Sequence, residues 1–391
     1  MNLFRRTLLV TALAAAAPLA AVAQTGPVKI AGLFELSGAG ASAGTNLRDG
    51  VMLAVKEINA AGGILGRKLE LSASDTQTNP GVAKGLTAKA VEDGAFAIFG
   101  PVFSGSIMVS MTESRRGEVP NFVAGEAAAI TKQGNPYVLR TSFTQETAMP
   151  KVARYIANDL KAKNVAVLFV NNDFGKGGRD AITKALTDVG VKVVADISTE
   201  SGQVDFSAPV LRAKQSNADA LFVYTNEEES ARALRELRKQ GFNKPVVGET
   251  TLVGQKVIEL AGDAANGAVA HVGLTIDAPN PLMLKFKAKF YQDYKYLPDH
   301  NGIKGYTGVY VMKAAIEKVG KFDRIAVNKA IHGISLKAAQ HPGILMDVTF
   351  DANGDLDRES FLVEVKDGRQ IVKQVLPALS AKAAPAAPAK K

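Results

Sequence analysis

The 391-residue sequence contains no cysteine and no tryptophan, and aromatic residues make up only 6% of it. Scarce aromatics argue against a surface that stacks nucleic-acid bases. The missing cysteine excludes disulfides and also the lipid anchor of a lipoprotein, which needs a cysteine at its cleavage point. Histidine is scarce as well. His271, His300, His332 and His341 are scattered and lack metal-ligand spacing. The only long apolar run is Leu8 to Leu19, too short for a comfortable membrane span. No phosphate-binding loop with lysine is present, and no catalytic set assembles.

That apolar run has a role of its own. Arg5 and Arg6 precede it and Ala21-Val22-Ala23 follows, which is the layout of a secretory signal peptide cleaved after Ala23. The expectation is a periplasmic protein with no membrane anchor. At the other end, residues 378–391 read as a disordered Ala/Pro/Lys tail. Of the formal charge of +9, two units belong to Arg5 and Arg6 and three to Lys382, Lys390 and Lys391, leaving about +4 for the body. That is weak ground for nucleic-acid or membrane binding.

Strand and helix patterns alternate through the body. Val28 to Phe34 reads as a strand, Asn46 to Ala60 as a helix with an apolar face, and Lys68 to Ser74 as a second strand. Pro80 to Glu92 is a second helix with proline in its first turn. Short strands follow at Phe96–Phe99, 120–124 and 137–140. The order then restarts, with helices expected over 148–162, 179–189, 206–217 and 228–240 and strands over 165–170, 191–195, 220–224 and 245–248. Three more helices are expected over 282–294, 305–319 and 324–333. Alternation of this kind argues two similar lobes built on parallel, doubly wound sheets.

Three motifs invite chemistry. Gly38 to Gly44 follows the first strand, but its spacing misses the dinucleotide fingerprint by one residue and Asp75 lies too far on. Asp351 to Asp357 resembles a calcium loop, yet its glycine comes too early and no Glu stands at the twelfth position, so a hairpin turn is expected. Glu227-Glu228-Glu229 reads as an acidic first turn matched to the helix dipole. A fourth stretch is more telling. Gly100 to Ser106 joins a buried strand to a helix, and its small residues suit either a helix N-cap at Ser106 or a carboxylate site at free amides.

Val28 through Ser37-Gly38, the run Asn59-Ala-Ala-Gly-Gly-Ile-Leu-Gly-Arg67, Asp75 and Gly100 to Ser106 resemble a periplasmic substrate-binding protein of the branched-chain amino acid type. So do Phe174-Gly175, Leu234 to Gly241, Gly262 to Gly267, Tyr306 and Phe350 to Gly354. The resemblance implies an α/β protein of the type I binding-protein fold, two lobes joined by three hinge crossovers near 141–145, 274–277 and 350–354. The lobes would be 27–143 with 277–350, and 144–276 with 351–377. It implies a non-enzymatic receptor that captures a small carboxylate ligand, an amino acid, for an inner-membrane permease of an ATP-binding-cassette importer. No cofactor or metal is expected, and the chain should act as a monomer.

Ligand contacts carried over from the family fall on Ser104, Gly105 and Ser106 for the carboxylate, and on Ala124. Glu126 stands where a hydroxyl residue is usual, Phe174 matches a common tyrosine, and Asn226 follows the 220–224 strand. Thr250 occupies the position of the acid that receives the ammonium, with Glu249 beside it, and Ala43 replaces a loop aromatic. Either Glu126 or Glu249 is expected to receive an amine, with Phe103, Phe174 and Tyr224 packing the apolar part. A receptor for an aromatic or keto acid without an amine is the alternative on the same fold, and a secreted α/β enzyme the alternative from another class.

Overall fold

The computed structural model describes residues 26–378. The expected signal peptide and all but the first residue of the 378–391 tail lie outside the described residues.

The first sheet is built from β1 (Val28–Phe34), α1 (Ala41–Ala60), β2 (Leu69–Asp75), α2 (Pro80–Glu92), β3 (Ile98–Phe99), α3 (Ser104–Arg116), β4 (Asn121–Val123), the short α4 (Ala129–Lys132) and β5 (Val138–Arg140). Its five strands run in the order β2-β1-β3-β4-β5, all parallel. β1 is buried at every position but Lys29, as a parallel strand covered on both faces must be. α2 forms where Asn79 accepts the amides of Gly81 and Val82 and Pro80 needs no partner.

The second sheet follows with α5 (Gln145–Asn158), β6 (Asn164–Val170), α6 (Asp173–Asp188), β7 (Lys192–Thr199), α7 (Ser207–Gln215), β8 (Ala220–Tyr224), α8 (Glu227–Lys239), β9 (Val246–Glu249), α9 (Thr250–Val253), α10 (Gln255–Ala261) and β10 (Val269–Val272). The chain then returns to the first lobe for α11 (Pro281–Tyr294), α12 (His300–Val319) and α13 (Arg324–Ile331). A small antiparallel sheet of β11 (Ser335–Leu336), β12 (Val348–Phe350) and β13 (Leu356–Asp357) comes next. β14 (Ser360–Lys366) and β15 (Arg369–Leu376) cross back, giving a seven-stranded sheet in the order β15-β14-β10-β9-β8-β6-β7. The two lobes are thus doubly wound and joined by three crossings: after β5, after β10 and after β13.

Asp351 to Asp355 forms the turn between antiparallel β12 and β13, with Thr349 opposite Asp357. The partner of β12 is therefore β13, while the next strand, β14, belongs to the second sheet.

Four helices begin earlier than their local patterns suggest, α1 among them, at Ala41 rather than Asn46. α6 starts at Asp173 rather than Arg179, with Asn172 capping the Gly175 amide. The glycines at 175, 177 and 178 look like a loop, but packing demands them. A Cβ on Gly175 would sit 1.8 Å from the Val170 carbonyl oxygen, and one on Gly178 2.0 Å from the Tyr224 ring. α5 starts at Gln145 rather than Ala148, with Pro150 inside it. α12 starts at His300 rather than Gly305, capped by the Asp299 carboxylate on the amides of Asn301 and Gly302. α12 packs on α1 with the backbones nearly touching: a Cβ on Gly50 would lie 2.0 Å from the Gly302 oxygen, and one on Gly305 2.4 Å from the Leu47 oxygen. That close crossing delivers the residues between them, Lys304 included, to the space between the lobes.

Candidate functional site: the cleft between the lobes

A cavity of about 480 Å³ opens where strands of both sheets end at their carboxyl termini, the usual place for ligands on such sheets. The first lobe contributes the β3–α3 turn (Val102 to Ser106), the segment after β4 (Ala124 to Glu126) and the start of α12. The second lobe contributes Asn172 to Phe174 at the start of α6, Asn226 and Glu227 at the start of α8, and Thr251.

The β3–α3 turn is held from behind. The buried Glu35 carboxylate, just past β1, accepts the amides of Val102 (3.1 Å) and Phe103 (3.0 Å). Burial pushes this carboxyl up to about 7, against those two hydrogen bonds. Gly100 runs so close to β1 that a Cβ would lie 2.1 Å from the Leu33 oxygen. The first amide of α3 to bond inside the helix is that of Ile107, to Phe103 O at 3.0 Å. The amides of Ser104, Gly105 and Ser106 are therefore the free ones of a helix end at the cavity, suited to an anion.

The cap differs from the expected one. Phe103 takes that position, with no side-chain cap, and Ser106 is the third helical residue. The Ser106 hydroxyl has no hydrogen-bond partner among the described residues. Ser104 Oγ accepts the Ala127 amide at 3.3 Å.

Gly40 to Gly44 also has the Gly-x-Ser-x-Gly spacing of a nucleophile elbow. Ser42, however, is the second residue of α1 and not at a strand-to-helix corner. No histidine is bonded to it among the described residues.

Glu126 lines the cavity but is engaged. It accepts Lys304 Nζ (3.2 Å), Ser142 Oγ (3.1 Å) and Tyr224 OH (3.3 Å). Burial raises its carboxyl to about 7, with the nearby Glu249 adding to the rise and Lys304 opposing it. Glu249 and Thr250, expected at the ligand, lie behind the cavity wall. The Glu249 carboxylate accepts the Thr250 amide at 2.5 Å and lies 2.9 Å from His271 Nδ1. Thr250 faces a void that Arg358 and Phe143 also line. The neighbouring residue, Thr251, is the one at the cavity.

Phe174 forms part of the wall and stacks on Tyr224 with centroids 4.2 Å apart. Tyr224 itself is fully buried and reaches the site only through its hydroxyl. Phe103 leans over the glycine loop, 2.9 Å from where a Gly40 Cβ would be, close to the loop that lacks its aromatic at Ala43. Asn226 starts α8 in a capping box, its amide spent partly on Glu229 at 2.9 Å. Asp173 reaches toward the opposite lobe, where a Cβ on Gly105 would lie 3.1 Å from its Oδ2.

Glu35, Glu227, His300, Asn301 and Lys304 have no place in the sequence-based site. A lysine inside the small, apolar run Gly302-Ile-Lys-Gly-Tyr306 was the visible sign for Lys304, since a buried lysine needs a partner. Among the described residues no cluster of three or more His, Asp or Glu side chains is arranged to hold a metal ion. No helix among them is long and apolar enough to cross a membrane.

A model of the periplasmic binding protein family matches residues 27–370. The chain is 29% identical over 339 residues to the Leu/Ile/Val-binding protein BraC3 of Rhizobium johnstonii, covering 86% of this chain and 91% of that protein. It is 27% identical over 344 residues to the leucine-, isoleucine-, valine-, threonine- and alanine-binding protein of Pseudomonas aeruginosa, covering 86% and 89%. Among solved structures, a leucine-binding protein of Thermotoga maritima superposes with a TM-score of 0.81 at 26% identity, over 90% of this chain and 99% of that one. A solute-binding protein of R. palustris in complex with benzoate shares the fold, with a TM-score of 0.83 at 22% identity over 90% and 98%.

Proposed function

The chain belongs to the periplasmic binding protein family, and on that premise we propose that it captures a branched-chain type amino acid between its lobes. It then delivers the ligand to the inner-membrane permease of an ATP-binding-cassette importer, as a non-enzymatic receptor. The observation that carries this reading is the set of free first-turn amides of Ser104, Gly105 and Ser106 opening onto the cavity. They receive the ligand carboxylate, while Phe174 and Phe103 pack its side chain.

The relatives named for leucine, isoleucine and valine cover most of this chain, which supports that ligand class. The lobes would close about the three crossings, hinging near 141–145, near 274–277 and, in place of the expected 350–354, just after β13, because β13 is paired with β12. Export would follow cleavage after Ala23, and the receptor would work as a monomer.

Isothermal titration of the mature protein with leucine, isoleucine and valine, set beside benzoate and the matching keto acids, tests the reading. One amino acid should bind at one per chain and be recovered unchanged. Binding confined to amine-free acids, or consumption of the ligand, overturns it.

A further inference from the structure

Three buried carboxyls surround the cleft, and their partners separate them. Glu126 is paired with Lys304 and accepts two hydroxyls besides. Glu249 is tied to the Thr250 amide and His271, and the cavity wall does not include it. Glu227 is different. It lines the cavity, is 7% exposed, and beyond a hydrogen bond to its own backbone amide it has only long contacts among the described residues: Asn301 Nδ2 at 3.4 Å and His300 Nε2 at 3.7 Å. The second is beyond a hydrogen bond, and burial keeps His300 far below its ordinary pKa, hence neutral.

We propose that Glu227 receives the ammonium group of the bound ligand, so that this residue selects amino acids over acids that lack an amine. The inference rests on the receptor reading above and names a group in its site.

Two further acceptors belong to the same cavity. Asn301 Oδ1 and Thr251 Oγ1 are buried without a hydrogen-bond partner among the described residues, and both residues line the same cavity. An ammonium brings three donors; the Glu227 carboxylate, Asn301 Oδ1 and Thr251 Oγ1 are three acceptors. A buried carboxylate with no ion pair of its own is costly, and a ligand cation in contact with it offsets that cost.

Protonation fits the same picture. Burial, then the charge of Asp299, pushes the Glu227 carboxyl up to about 8. The charged and titratable groups around it are Glu228 on its own helix, Asp299, His300 and Lys304 at the start of α12, and, across the same cavity, Asp173 and Lys176 from α6 and Glu126 after β4. At neutral pH Glu227 holds a proton in the free protein and gives it up when the ammonium arrives. The cation then takes the proton's place.

The test compares leucine with its keto-acid analogue on the full protein by titration calorimetry. Glu227→Gln should weaken leucine by roughly tenfold or more, since a charge-assisted contact is lost, and leave the keto acid nearly unchanged. Release of about one proton per leucine at pH 7, read from buffers of different ionisation heat, should disappear in the variant. Wild-type affinity for leucine in Glu227→Gln, or equal weakening of both ligands, overturns the assignment to Glu227 while leaving the receptor reading intact. Wild-type protein that binds the keto acid but no amino acid overturns both. Should Glu227→Gln fail to fold, the wild type alone decides. Leucine affinity should rise by well over tenfold from pH 6 to pH 8 while that of the keto acid does not, and parallel profiles overturn the assignment.

Discussion

Lys304 Nζ lies 3.2 Å from Glu126 Oε1, with the two side chains only 4% and 8% exposed. The lysine also donates to the Ala124 carbonyl at 3.2 Å. It thereby ties the start of α12 to the segment after β4, two parts of the chain that meet only through folding. A pair this buried adds little net stability against an apolar alternative, but removing one partner leaves the other charged without compensation.

Lys304→Met should therefore destabilise the protein by about 3–5 kcal/mol, read as a drop in the urea midpoint at pH 8. The double variant Lys304→Met/Glu126→Gln should recover most of that loss. Additive losses in this cycle would mean the two groups are not coupled.

The two serines of the β3–α3 turn should separate binding from stability. Ser106→Ala should weaken a carboxylate ligand by about 1–3 kcal/mol and leave the melting temperature of the free protein nearly unchanged, because its hydroxyl serves no protein group. Ser104→Ala should lower both, since its Oγ also accepts the Ala127 amide. Calorimetry and thermal melts of both variants check this. Unchanged affinity in both would remove the anchor role.

Glu35 should leave a signature in the pH dependence of stability. In the folded protein its carboxyl holds its proton up to about pH 7, whereas in the unfolded chain it titrates near the ordinary 4.5. Between those values the folded state binds the extra proton. Stability therefore falls as pH rises, by at most about 1.4 kcal/mol per pH unit from this one group. Glu35→Gln should flatten that decline without abolishing it, because Glu126 and Glu227 are raised in the same way. Denaturant midpoints at pH 4.5, 6 and 7.5 check the slope, and parallel curves for variant and wild type contradict it.

Much of the architecture was legible because its signals are local. The buried run Val28–Phe34, the Asn79-Pro80 helix start and the turn at Asp351–Asp355 each depend on neighbours in sequence. The misread starts of α6 and α12 share a cause. Gly178 and Gly305 look like breakers, yet each is pressed by a distant element: the Tyr224 ring of β8 on the first and the Leu47 oxygen of the partner helix α1 on the second. A periodicity window cannot see such a neighbour.

The sequence by itself determined the alternation of strand and helix, the two sheets and the turn of small residues at Ser104–Ser106. These follow from burial periodicity and backbone chemistry acting within a few residues. Only the tertiary structure decided which carboxyl is free. Glu126, Glu227 and Glu249 are equivalent as letters. Lys304 arrives from 178 positions away to neutralise the first, His271 and the Thr250 amide hold the third out of the cavity wall, and the second faces the cleft without an ion pair to a lysine or arginine among the described residues. Charge pairing depends on distance in space, and that distance exists only once α12 has packed against α1.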